Sequence, residues 1–292
     1  MASGQLLIDC GATLGESAVW HPRIQRLYWL DLAQPTLFSF DPVSRETVTL
    51  PISGEAPLGG LALSADDDWL ILVKRKGVVL LNPETGEERQ IAHPLQGRHR
   101  LVYNDAGVDR HGRLWVGTLD EAETEPDAEM FVIEADGSWS SVVEGLVICN
   151  GPAFSLDGSV MYLSDTLGRA VLAYDVDADG RVFSRRVFAR IPEHEGLPDG
   201  LTVDSQGAVW VAHWGGGLVS RWNEHGVRID TVAIPTANVT SVAFGGPDLS
   251  RLFVTTAKDP YEGEGRSPLS GGLFSVDTDV RGVEDKRFRV HT

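Results

Sequence analysis

A pattern of forty-odd residues recurs six times along this chain, and it limits the fold more than any other feature. Each copy holds an apolar strand, a short polar turn and a second strand with an aromatic residue or leucine near its start. The copies are "ESAVWHPRIQRLYWLD", "GGLALSADDDWLILV", "NDAGVDRHGRLWVGT", "NGPAFSLDGSVMYLSD", "DGLTVDSQGAVWVAH" and "TSVAFGGPDLSRLFVTT". Setting the second strands in register aligns Tyr28, Leu70, Trp115, Tyr162, Trp210 and Phe253, with separations of 42, 45, 47, 48 and 43 residues. Such a period leaves room for four short strands per unit and is the signature of a β-propeller. Six units fill the 292 residues. The expected fold is therefore all-β, a single six-bladed β-propeller domain spanning 1–292. "GQLLIDC" precedes the first unit and "GGLFSVDTD" follows the sixth hairpin. The N-terminal strand is expected to join the last blade and close the ring, which removes a free sheet edge. One aromatic per blade, at a fixed position, is expected to pack between blades.

The rest of the chain agrees with this reading. Turn clusters such as "NPETG", "DRHG", "SLDG" and "DSQG" punctuate runs of five to seven residues rich in Val, Leu, Trp and Tyr, and no helical periodicity is sustained. A net charge of -17 repels nucleic acid phosphate and anionic membrane surfaces, and favours small-molecule or cationic partners. Cys10 and Cys149 form no CxxC pair and no disulfide framework, so buried thiols are expected. The start "MASGQLLIDC" has neither a basic end nor a long apolar run. The expectation is a soluble, cytoplasmic protein.

In a propeller the first strand of each blade lines a central tunnel. The residues that open those strands are Glu16, Gly59, Asn104, Asn150, Asp199 and Thr240. Two carboxylates and amide oxygens aimed at one point repel one another unless a cation relieves them. Glu16, Asn150 and Asp199 offer hard oxygen donors and no sulfur, which suits Ca²⁺, Mg²⁺ or Mn²⁺, while Zn²⁺ and Fe²⁺ also accept carboxylates. Three protein ligands leave positions for water and substrate, as in a catalytic metal site. Asn and Asp also cap strand ends as Asx-turns, but recurrence at one repeat position favours the shared site.

Other chemistries lack their residues. No G-x-S-x-G elbow, P-loop or GxGxxG strand-to-helix junction occurs. "DVDADG", from Asp175 to Gly180, begins like an EF-hand loop, but the twelfth position is Arg186 and a hairpin turn is expected. His213, in "HWGGG", is expected to be a packing or turn residue.

Several motifs together resemble the gluconolactonase/regucalcin family, whose best-known members are sugar lactonases. "LGESAVW" is similar to its L-G-E-[GS]-x-x-W opening, and "YNDAGVDRHGRLWVGT" to its N-D-x-x-V-D-x-x-G-R segment. "CNGPAFSLDGSVMYLSDT", "LPDGLTVDSQGAVWVAHWGGG" and "FGGPDLSRLFVTTA" resemble its later segments, in order from Leu14 to Ala257. The resemblance implies a six-bladed propeller with one divalent cation, Ca²⁺ foremost, held by Glu16, Asn150 and Asp199. It places Asn104 beside the cation as a metal-water or substrate contact, and Glu121 as a substrate contact. The family's arginine two residues before the N-D pair is here Val102, which leaves the lactone unnamed.

The expected reaction is metal-dependent hydrolysis of a sugar lactone to its sugar acid, with Asp199 as general base. A calcium-binding or scaffold propeller without turnover, and a metal-dependent esterase or phosphotriesterase, remain as alternatives.

Overall fold

The computed structural model describes residues 3–258 and 267–290. Among the described residues there is no α-helix, only a 3-10 turn at Glu193–Glu195, and no helix long and apolar enough to cross a membrane. The described strands form six sheets, antiparallel apart from one short parallel pairing in the second. Their innermost strands are Gly15–His21, Leu61–Ser64, Leu101–Val108, Cys149–Phe154, Leu197–Val203 and Val239–Gly245. Four of the sheets run outward from the inner strand wholly in chain order, while the sixth takes its outermost strand from the N-terminus and the second gains a C-terminal strand on its inner side; this is the blade order of a six-bladed propeller.

The ring closes as the sequence suggests. Gln5–Ile8 is the outermost strand of blade 6 and pairs antiparallel with Leu273–Asp277, Gln5 opposite Ser275. The two ends of the repeat are thereby tied across the seam where the circle would otherwise open.

Blades pack face to face through six apolar clusters, one at each seam. Tyr28 fills the seam between blades 1 and 2, Trp115 that between 3 and 4, Tyr162 that between 4 and 5, Trp210 that between 5 and 6, and Phe253 that between 6 and 1. The aromatic column is thus interblade packing, as expected. Blade 2 corrects one position. Leu70 faces back toward blade 1, and its neighbour Ile71 fills the forward seam to blade 3. Successive strand residues point to opposite faces, so a one-residue slip in alignment reverses the direction of the side chain. With Ile71 in register, Gly59 stands twelve residues before it, the same offset that separates Glu16 from Tyr28 and Asn150 from Tyr162.

The V-D-x-x-G motifs are blade corners. Asp204 is fully buried; its Oδ1 accepts the N–H groups of Gln206 and Ala208 at 2.8 and 3.0 Å, and its Oδ2 accepts Trp210 Nε1 at 2.9 Å and Arg221 Nε at 2.8 Å. Asp109 does the same in blade 3, holding its turn together with Arg113 Nε at 2.7 Å and Trp115 Nε1 at 3.0 Å. One carboxylate therefore satisfies both the turn's backbone donors and the indole of the packing column.

The C-terminal segment takes a path that the repeat does not foretell. Arg287–Phe288 adds in parallel to the inner strand of blade 2, opposite Leu63 and Ser64. On the way, Gly282 bridges Asp204 of blade 5 and its N–H donates to Leu249 O of blade 6. This strap crosses one end of the tunnel from blade 6 to blade 2, and Phe288 is fully buried in the seam between blades 2 and 3.

Candidate functional site at the tunnel mouth

The open end of the tunnel is where the inner strands begin. In five blades the ladder between the first and second strands is interrupted there. The register shifts between Glu16 and Val19, Tyr103 and Ala106, Asn150 and Ala153, Pro198 and Leu201, and Val239 and Val242. A bulge bends its strand and re-aims side chains. Five bulges at one level turn Glu16, Asn104, Asn150, Asp199 and Thr240 out of the ordinary alternation. Blade 2 substitutes a glycine pair: Gly59 N–H donates to Val73 O, and Val73 N–H to Gly60 O, both at 2.8 Å.

Glycine is required there by close approach. A Cβ on Gly59 would lie 2.7 Å from Val73 Cγ1 and 2.9 Å from Asn104 O, and one on Gly60 would lie 2.8 Å from Ala106 N. Blade 3 leans into the space that a blade 2 side chain would fill. As a result, blade 2 contributes no side chain to the ring.

Glu16, Asn150 and Asp199 are equally buried, each 7% exposed. The Asn104 amide donates Nδ2–H to Asn150 Oδ1 and to Cys149 O, the latter at 3.0 Å, while Asn150 Nδ2 donates to Thr166 Oγ1 at 3.0 Å. These bonds orient the Asn150 amide so that its oxygen faces the ring. Thr240 is diverted: its hydroxyl donates to Gly15 O and pairs with Thr255 Oγ1 at 2.9 Å, tying blade 6 to blade 1.

Asp105 joins the group and was not singled out by sequence. Its Oδ1 accepts Ala106 N–H at 2.8 Å and its Oδ2 accepts Gly151 N–H at 2.9 Å. The signal available was the N-D pair itself, since at a bulge two consecutive residues turn inward together.

The electrostatics are dominated by like charge. Burial, then the charges of Asp199 and Asp105, push the Glu16 carboxyl well above the usual carboxylate range, and the Ser17 N–H donated to its Oε2 at 2.7 Å only partly offsets this. Burial and the Asp105 charge likewise push Asp199 well up, against the N–H of Gly200. Burial raises Asp105 to about 6. No described Lys, Arg or His forms an ion pair with any of the three. Among the described residues no three His, Cys, Asp or Glu side chains gather in ligating geometry. The donor set for a cation is then two carboxylates and an amide oxygen, a hard set that fits a divalent ion and leaves coordination positions open.

Beneath the ring lies a narrow cavity of about 150 Å³, lined by residues one turn further down the inner strands, by Asp105 and by Val283–Lys286 of the strap. Above the ring is the rim. Glu121 follows the second strand of blade 3 and Arg75 follows that of blade 2, so both lie at the end where the inner strands begin. They form a bidentate pair, Arg75 Nη1 to Glu121 Oε1 at 2.7 Å and Nη2 to Oε2 at 2.9 Å. Arg75 was also missed by sequence, because only the fold brings the blade 2 turn beside Glu121. Val102 is buried and points no polar group at the tunnel.

Two other motifs behave as packing and turn residues. His213 is fully buried, bonded through Nδ1 to Glu195 O at 2.8 Å and through Nε2 to Ser220 Oγ at 2.7 Å. Asp177 accepts the N–H groups of Asp179 and Arg181, both at 2.9 Å, in a hairpin turn. Cys10 and Cys149 are free thiols, the second fully buried.

The fold defines the class: a six-bladed propeller whose bulged inner strands gather carboxylates and amides at one end of the tunnel. Residues 14–258 match the model of the SMP-30/Gluconolactonase/LRE-like region, and the chain belongs to that family. It is 34% identical over 288 residues to pentonolactonase XacC of Haloferax volcanii, covering 96% of each chain. It is 31% identical to a 6-deoxy-6-sulfogluconolactonase of Pseudomonas putida over 95% of each. Its fold superposes on the crystal structure of a calcium-binding protein, regucalcin, from Agrobacterium tumefaciens with a TM-score of 0.92, at 25% identity, covering 99% of this chain and 98% of that one.

Proposed function

We propose that the protein is a metal-dependent sugar lactonase, one functional domain along its whole length, that opens an aldonolactone to the corresponding sugar acid. The observation that carries this reading is the pair of buried carboxylates, Glu16 and Asp199, gathered with Asp105 and with no Lys, Arg or His among the described residues paired to them. Burying like charges without compensation is costly, and a scaffold has no use for it. The relatives named as lactonases supply the reaction class.

Glu16, Asn150 and Asp199 would hold the cation. When bound, it supplies Lewis-acid polarisation of the lactone carbonyl and charge stabilisation as the oxyanion develops. Asp199 takes a proton from the attacking water; burial beside Asp105 raises its basicity, and ligation offsets part of that rise. Asn104, its two N–H groups held by Cys149 O and Asn150 Oδ1, presents its amide oxygen to substrate or to water. The water oxygen bonds to the carbonyl carbon, the ring C–O bond breaks, and the proton passes to the departing alkoxide. Rigid inner strands hold these groups, so little reorganisation accompanies the step.

The likeness to a protein described as calcium-binding supports a second reading, cation binding without turnover. One experiment separates them: acid release from a panel of sugar lactones, simple esters and phosphotriesters, on protein stripped of cation and reloaded with Ca²⁺, Mg²⁺, Mn²⁺, Zn²⁺ or Fe²⁺. The lactonase reading expects turnover of a sugar lactone that a chelator abolishes. Tight cation binding with no acid release from any lactone supports the second reading, and faster release from esters or phosphotriesters redirects the first.

A further inference from the structure

We infer that Arg75, held by Glu121, is a specificity residue that reads adjacent hydroxyl groups on a neutral polyhydroxylated lactone. This rests on the lactonase reading. Blade 2 leaves its place in the ring empty, because Gly59 and Gly60 are pressed against blade 3 and carry no side chain. A ligand seated over Glu16, Asn150 and Asp199 therefore meets no group from blade 2 at ring level. Val73, whose backbone bonds Gly59 and Gly60, faces blade 3; Lys74 turns away to Glu88, and Arg75, two residues beyond Val73 in the turn that ends the strand, pairs with Glu121 of blade 3 above this gap.

The neighbouring basic groups are committed elsewhere. Lys74 is bonded to Glu88 at 2.7 Å, Lys76 to Glu55 at 3.1 Å, Arg98 to Glu129, and Arg100 to Asp120 at 3.4 Å and Asp127 at 3.5 Å. Arg75 and Glu121 are 28% and 46% exposed at the mouth, so a ligand can reach both. Glu121 takes one N–H from each terminal nitrogen of Arg75, and a guanidinium has five to give. The pair accordingly offers donors on one side and carboxylate lone pairs on the other. Two vicinal hydroxyls, each able to donate and accept, match that arrangement. An anionic substituent does not, since Glu121, Glu16, Asp105 and Asp199 all oppose it.

The test compares kcat and KM of the cation-loaded wild type, Arg75→Met, Arg75→Lys and Glu121→Gln on a polyhydroxylated aldonolactone and on an unsubstituted lactone of the same ring size. Loss of a charged hydrogen bond predicts a KM about tenfold or more higher for the polyhydroxylated lactone in Arg75→Met, with kcat within about twofold. The unsubstituted lactone should respond to neither Arg75 variant, and Glu121→Gln, which frees the guanidinium from its orienting carboxylate, should raise KM for the polyhydroxylated lactone in the same direction as Arg75→Met. Arg75→Lys should restore only part of the affinity, because an ammonium cannot fork across two hydroxyls. Unchanged KM on the polyhydroxylated lactone, or an equal loss on both lactones, overturns the assignment of Arg75 while wild-type turnover preserves the lactonase reading. No turnover of any lactone by the wild type overturns both.

Discussion

Asp105 and Gly151 join blades 3 and 4 at the level of the ring: Asp105 Oδ2 accepts the Gly151 N–H at 2.9 Å, one residue beyond Asn150. The bond brings a third carboxylate under Glu16 and Asp199 and raises both. Asp105 thus fastens the backbone that presents Asn150 while adding to the repulsion a cation would relieve.

The repulsion sets a pH dependence. Glu16, Asp105 and Asp199 all have folded-state values above their ordinary ones, so in cation-free protein their penalty is present when they are ionised and disappears as pH falls through those values. The melting temperature of stripped protein should rise as pH is lowered from 8 toward about 6. At still lower pH the trend should reverse, because Asp120 and Asp157 are held down to about 2 by hydrogen bonds and lose their contribution on protonation. Thermal unfolding across pH with and without chelator checks this; a melting temperature that falls steadily from pH 8 to 6 contradicts it.

Asp105→Asn should flatten that profile and raise the melting temperature of stripped protein at pH 8. The amide oxygen can still accept one of the two N–H bonds, while the charge that disturbs Glu16 and Asp199 is gone. Calorimetric titration with Ca²⁺ should show weaker binding, since less negative charge attracts the ion.

Asp199→Ala should abolish lactone turnover and weaken cation-induced stabilisation, and Glu16→Gln should do the latter with at least partial loss of rate. Near-normal rates for Asp199→Ala at saturating cation would remove it from the role of base.

Gly59→Ala tests the open quadrant. Its Cβ meets Val73 and the carbonyl of Asn104, so the variant should cost about 1–3 kcal/mol, as overpacking does. It should also lower activity by displacing Asn104. Denaturant unfolding together with kcat reads both.

Two structural positions give larger stability losses. Asp204→Ala leaves the Trp210 indole and the Arg221 guanidinium, 12% exposed, without their carboxylate, for about 3–5 kcal/mol. Phe288→Ala empties a fully buried site between blades 2 and 3, for about 3–5 kcal/mol, and should loosen the strap that floors the tunnel. Urea unfolding measures each.

Much of the molecule was legible in the order of residues because its determinants are local and repeated. Strand alternation, turn residues and a period in the forties specify blades, and six copies in one chain specify a ring. The same repetition put Glu16, Asn104, Asn150 and Asp199 at one position. It erred by one residue at Leu70, because the aromatic of blade 2, Trp69, stands two residues before the equivalent position, Ile71, on the same face.

What the tertiary structure alone decided depends on contacts between distant blades. The bulges that turn the ring residues inward, the close approach that leaves Gly59 bare, and the meeting of Arg75 with Glu121 each arise where separate repeats press together. The strap is of the same kind: its short polar sequence has no period, and Phe288 finds its place only because blades 2 and 3 leave a seam to fill. Local periodicity specifies each blade, but which groups share the tunnel mouth follows from how six blades close on one another.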